Sequence, residues 1–202
     1  MRTSTRARPL PPDERRAALI AATLPLLRAN GMSVTTRQLA QASGVAEGTI
    51  FRVFPDKDAL IQAAIGAATD PDPILAALDQ IDLALPLRER MLALTTILQA
   101  WLRDIISLMI SIRTHPGAPG DERSRHDEKS RYDNSSRIDA AVLRLLEPDR
   151  AAFRLPPADV VRVLRALVFA GAHPMLAQGG VLTPQEIVDV VLDGALVRTA
   201  SC

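Results

Sequence analysis

Residues 35–60, TTRQLAQASGVAEGTIFRVFPDKDAL, constrain this chain more tightly than any other stretch. They read as a short helix, a tight turn at Gly44, a second short helix and a third helix opening at Asp56. Ala40, Gly44 and Ile50 fall at the spacing a helix-turn-helix requires. Ala40 is small where two helices cross, Gly44 is free to take the left-handed turn, and Ile50 pins the second helix onto the first. Leu39, Val45 and Phe54 complete an inward face at helical spacing. Such a unit places its second helix in the major groove of DNA, so the spacing predicts a DNA-binding regulator.

Composition agrees with a helical fold. Of 202 residues, 48% are hydrophobic and only 3% aromatic, so the apolar content is Ala, Leu, Val and Ile, which favours helices packed on helices. No uninterrupted apolar stretch approaches the roughly 18–20 residues of a membrane span. The segment MRTSTRARPLPPDERR lacks the apolar centre of a signal peptide, and the expectation is a cytoplasmic protein without a membrane partner. The single cysteine, Cys202, excludes an intrachain disulfide and reads as an incidental thiol. The net charge of +1 hides a gradient. Residues 1–58 carry nine basic and five acidic side chains, +4, and the remainder 15 basic and 18 acidic, −3. A basic head on a mildly acidic body suits a chain that offers DNA one end only.

Along the chain, residues 1–12 read as a flexible basic arm. A first helix opens at Asp13-Glu14 and runs to Asn30-Gly31, with an apolar stripe of Ile20, Leu24 and Leu27 and a kink expected at Pro25. The helix-turn-helix and a third helix end near residue 68. Asp70-Pro71-Asp72-Pro73 then breaks the chain, which sets the expected domains at 13–68 and 73–202. Beyond it the pattern is helical throughout. A short helix spans 74–81 and a long one 87–112, residues 115–136 are polar and weakly structured, and 137–146 is amphipathic. An apolar helix runs from Pro157 to about 178. The last helix opens at Thr183-Pro184-Gln185-Glu186, a capping box with proline at its first position.

Within 13–65 the chain resembles the tetracycline-repressor (TetR) family of bacterial transcription regulators. The resemblance rests on Thr35-Thr36, Leu39-Ala40, Gly44-Val45, Gly48-Thr49, an aromatic at Phe51, and Phe54-Pro55 followed by Lys57 and Leu60. It implies an all-α protein: a three-helix N-terminal helix-turn-helix domain and a helical C-terminal domain for ligand binding and dimerisation. It also implies a repressor that binds a palindromic operator in double-stranded DNA as a homodimer through its last two helices, and that a small apolar effector releases.

The expected DNA-contacting residues are Thr36, Arg37, Glu47, Gly48, Thr49, Phe51, Arg52 and Lys57. Thr36 either caps its helix, bonds a phosphate, or does both. Arg37 either reads guanine O6 and N7, bonds a phosphate, or stays solvated. In the recognition helix, expected over 46–54, Gly48 removes a Cβ so that the helix can approach the backbone closely. Thr49 offers a hydroxyl to phosphate and a methyl to thymine. Arg52 reads guanine or clamps phosphate, and Glu47 either accepts from cytosine or restrains an arginine. Lys57 reads as a phosphate clamp. Three features depart from the family pattern. Ala46 stands where Ser or Thr commonly caps the recognition helix, Phe51 replaces a Tyr and its hydroxyl, and Pro25 interrupts the first helix.

In the body, the expected dimer seam is Leu164, Leu167, Val168, Gly171 and Ala172 with Ile187, Val191 and Ala195; the alternative is that these faces bury themselves within one subunit. Met91, Trp101, Met109, Phe169, His173 and Met175 are candidate ligand-lining residues, or ordinary core. No cofactor and no metal is implied. His115 and His126, beside Asp127 and Glu128, read as part of a solvated loop. No nucleophile–base pair or phosphate-cradling loop marks an enzyme. The rival reading is a protein of this fold that binds a ligand or partner and has lost specific DNA reading.

Overall fold

A computed structural model describes residues 11–114, 124–176 and 180–195, with the backbone alone for 114, 124–132 and 195. Among the described residues nine α-helices form and no strand. They are α1 (Pro12–Asn30), α2 (Thr36–Ser43), α3 (Glu47–Ile50), α4 (Lys57–Thr69), α5 (Asp72–Asp79), α6 (Leu87–Thr114), α7 (Ser124–Leu146), α8 (Pro157–Ala172) and α9 (Pro184–Ala195). The chain divides into two compact units. Among the described residues, the head holds 11–69 and 108–114, and the body holds 70–107, 124–176 and 180–195.

In the head, α1 packs on α2 and α4. Its buried face is Leu19, Thr23 and Leu27, with Ile20 and Leu24 only partly buried, so the helix is rotated by one residue from the stripe its sequence suggests. Thr23 can sit inward because its hydroxyl donates to Leu19 O at 2.8 Å, which satisfies the buried polar group within its own turn. The helix runs without a break through Pro25. Leu39, Ile50, Phe54, Leu60 and Ile61 close the head's core, joined by Leu108 and Ile112 from the end of α6.

The body's core is aliphatic, with Leu78, Met91, Leu94, Leu145, Leu164, Val188 and Leu192 among its buried side chains. Among the described residues, one cation lies inside. Arg90 is 2% exposed, and its guanidinium donates to Leu145 O at 2.7 Å, to Leu83 O at 2.8 Å, to Leu85 O at 2.7 Å and to the Asp149 carboxylate. A buried guanidinium is tolerable only with its donors matched in this way. It fastens the α5–α6 connection to the end of α7.

Three element boundaries differ from the sequence expectation. The helix α7 begins at Ser124, inside the segment expected to be weakly structured. Arg165 donates to Ser135 and Asp139 at 2.9 Å and Arg137 pairs with Asp72 at 2.6 Å, so partners on other helices hold a polar helix that its own pattern does not announce. The helix α8 stops at Ala172, because His173 precedes Pro174 and takes an extended conformation. The recognition helix, expected over 46–54, is the single turn Glu47–Ile50. The N–H groups of Arg52 and Val53 bond three residues back, to Thr49 and Ile50, which tightens the chain into turns ahead of Pro55. The basic arm up to residue 10, His115, the side chain of His126, Leu196 and Cys202 lie outside the described residues.

Candidate nucleic-acid interface

The connection from α2 to α3 is built from one left-handed residue. Gly44 takes φ 65° and ψ 26°, and its N–H bonds the carbonyls of Ala40 and Gln41. Val45 N–H then returns to Ala40 O at 3.0 Å. A side chain at 44 would be strained in this conformation, which is why the turn requires glycine. The start of α2 carries a full capping box. Gln38 N–H donates to Thr35 Oγ1 at 3.3 Å, and Thr35 N–H donates to Gln38 Oε1 at 2.8 Å. The cap is therefore Thr35, and Thr36 is the first helical residue, half-buried, with its hydroxyl beside a helix N-terminus. Arg37 follows it and is exposed.

In the segment after the turn, Ile50 and Phe54 are buried at 0% and 2%, four residues apart and pinned inward. Glu47, Gly48, Phe51 and Arg52 are exposed and Thr49 is half-buried. Ala46 supplies no side-chain cap to α3, and Glu47 occupies its first residue. A Cβ added at Gly48 would meet nothing within 4 Å. The fold itself has no need of glycine there. Phe51, in place of the expected phenol, leaves its ring 48% exposed.

Lys57 is placed differently from the other basic residues. Its ammonium reaches Val34 O at 3.2 Å and Met32 O at 3.5 Å, tying the start of α4 to the connection ahead of α2. Sequence reasoning missed a basic residue of the same neighbourhood, Arg16, whose guanidinium lies 4.3 Å from the centroid of the Phe54 ring. No spacing rule joins positions 16 and 54, so no sequence signal marks that pair.

The six candidate ligand-lining residues stand in different surroundings. Met91 is wholly buried in the body's core and Trp101 packs partly against it. Met109 belongs to the head's core instead. Phe169 and Met175 are exposed at 45% and 72%. His173 lies 5.5 Å from the Phe169 ring, and its Nδ1 is buried without a hydrogen-bond partner. An apolar groove of about 260 Å³ lies elsewhere in the body, between α8 and α9, bordered by Leu155, Val163, Val190 and Gly194. Two further polar residues stand in the body's interior on α6: Thr95, 0% exposed with an unpartnered hydroxyl, and Gln99, 1% exposed. Gln99 Nε2 donates to Leu182 O at 2.6 Å beside Gly171, where a Cβ would come within 2.5 Å of that nitrogen. The signal for both was in the sequence, as polar residues one turn apart on the apolar side of a long helix.

The residues expected at a dimer seam instead bury themselves within one chain. Leu164, Val168, Ala172, Ile187 and Val191 are all buried within the one chain, as are Gly171 and, in part, Leu167. The Ala195 side chain lies outside the described residues. The outward apolar residues of these two helices are Val163, Phe169 and Val190, at 40%, 45% and 57% exposure. Both sides of α8 are apolar, so periodicity alone could not say which faced inward.

A helix-turn-helix head with this turn, followed in the chain by a body that is helical among the described residues, defines the class: helix-turn-helix proteins with a large α-helical partner domain. Residues 19–64 match the family described as bacterial regulatory proteins, tetR family. Solved structures agree over nearly the whole chain. A TetR-family protein of Mesorhizobium loti superposes with a TM-score of 0.68 at 15% identity, covering 94% of this chain and all of that one. A TetR transcriptional regulator of Streptomyces coelicolor gives 0.56 at 22% identity over 90% and 98%. NalD of Pseudomonas aeruginosa, the secondary repressor of the MexAB-OprM multidrug efflux pump, gives 0.57 at 15% identity over 92% and 97%. The head is a TetR-family domain, and the fold of the chain is that of the TetR-family transcriptional regulators.

Proposed function

We propose that the chain is a sequence-specific DNA-binding transcriptional regulator that acts in the cytoplasm as a homodimer and catalyses nothing. It works as a repressor, released from a palindromic operator by a small apolar effector. Gly48 carries the reading. It stands exposed in the recognition segment with open space where a Cβ would go, at a position where glycine weakens a helix and no neighbour in the fold requires it. Close approach of an external backbone gives that position its reason. Around it Thr36 and Thr49 meet phosphates, Arg37 reads guanine, and Phe51 packs on sugar or a thymine methyl. Arg52 and Glu47 act at the same surface. Lys57 adds a phosphate contact with the donor its two carbonyl bonds leave.

The body supports effector binding through Thr95 and Gln99. An orphan buried hydroxyl in an aliphatic core is costly, and a ligand that bonded it would favour the state in which it binds. Dimerisation uses the outward Val163 and Val190, which border one apolar groove between α8 and α9. A selection on randomised duplex DNA, with winners retested across a salt series, tests the reading. Enrichment of a palindrome bound by a dimer is expected. Steeply salt-dependent binding without enrichment would favour the second reading, a ligand- or partner-binding protein that has lost specific DNA reading. The one-turn α3, its missing cap and the internal bonds of Lys57 are what support that alternative.

A further inference from the structure

Arg16 lies on the exposed side of α1, and its guanidinium carbon stands 4.3 Å from the centroid of the Phe54 ring. Phe54 is 2% exposed, and its N–H bonds Ile50 O at 2.9 Å, so the end of the recognition segment holds the ring still. The ring covers the guanidinium from one side. The five N–H donors of the guanidinium all lie in its plane and point outward along its rim. The ring thus orients the fork while using none of its hydrogen-bonding capacity. A leucine or methionine would seal Phe54 as well, so packing alone gives no reason for a cation here.

We infer that Arg16 is a backbone clamp for duplex DNA, bonding a phosphate that flanks the groove occupied by α3. This inference rests on the DNA-binding reading of the head. A phosphate is the matching ligand because two of its oxygens fit the planar fork side by side. The residue projects from α1, outside the segment whose side chains would reach base edges, so its contribution is to affinity and register and not to sequence preference. Ordering by Phe54 before DNA arrives lowers the entropy lost when the contact forms.

The test uses the full chain carrying Arg16→Met, Arg16→Lys or no change, with binding to a selected duplex and to a random one measured across a salt series. Arg16→Met keeps apolar cover on Phe54 and removes the charge. It is expected to weaken both duplexes by the same factor, about tenfold or more, and to lower the slope of log K against log salt by about 0.9, one phosphate contact. Arg16→Lys is expected to keep the slope and recover part of the affinity. An unchanged slope with a lower thermal midpoint would make the contact internal packing and overturn the inference. Loss confined to one base pair of the selected site would overturn it too, by making Arg16 a base reader. A wild type that binds neither duplex would remove the DNA-binding reading itself, and Arg16's role with it.

Discussion

On the proposed DNA-binding reading, Gly48 separates folding from binding at a single position. Replacing it by alanine adds a Cβ into open space within a helical turn, so the head is expected to gain about 0.5–1 kcal/mol of stability. The same methyl would stand between α3 and the DNA backbone, and affinity for every duplex is expected to fall. Denaturant unfolding and duplex titration of Gly48→Ala check the two halves. A variant that is more stable and binds unchanged would remove the close-approach argument. Lys57 shows why a basic residue cannot be assigned from its charge alone. Two carbonyls already accept from its ammonium, so part of any loss on its removal comes from the connection it holds in place.

At the scale of the helix, the caps decide where chain direction changes. The start of α9 is held by a reciprocal box, in which Thr183 N–H and hydroxyl donate to Glu186 Oε2 at 2.8 Å and Glu186 N–H donates to Thr183 Oγ1 at 3.2 Å. These bonds favour the charged carboxylate, the Thr183 N–H foremost, and hold the Glu186 pKa below its ordinary value. The native state therefore binds fewer protons than the unfolded chain. The box's contribution is complete above the ordinary carboxylate range and is lost as pH falls through the depressed value. Thermal midpoints of wild type and Glu186→Gln across the acid range should converge at low pH and separate above it. Parallel curves would assign the shift no role in stability.

At the scale of the whole chain, two features hold units that local pattern cannot. Arg90 joins the α5–α6 connection, the end of α7 and Asp149 through one buried guanidinium. Arg90→Leu leaves three carbonyls and a carboxylate without their donor, and a loss of about 3–5 kcal/mol is expected in denaturant unfolding. A loss under about 1 kcal/mol would mean water replaces the guanidinium freely. The proposed association through α8 and α9 is the second. Val190 is 57% exposed on the outer side of α9, so Val190→Asp is expected to leave the fold intact and yield monomers in sedimentation. An unchanged dimer would put the seam elsewhere.

From its sequence alone this chain determined that it would be helical, where its head would turn, and which segment would form the helix-turn-helix. Those properties are set within a few residues. Gly44 allows the left-handed conformation the turn needs, Thr35 and Thr183 cap the helices they precede, and Ile50 and Phe54 repeat at a helical interval. Only the tertiary structure decided which side of α8 and α9 faces inward and that α7 would begin at Ser124. It also set Arg90 inside the body and Arg16 over Phe54. The physical reason is separation. Such outcomes depend on partners tens of residues away, and a helix apolar on both sides, or polar along its length, is oriented and stabilised by the surfaces it meets.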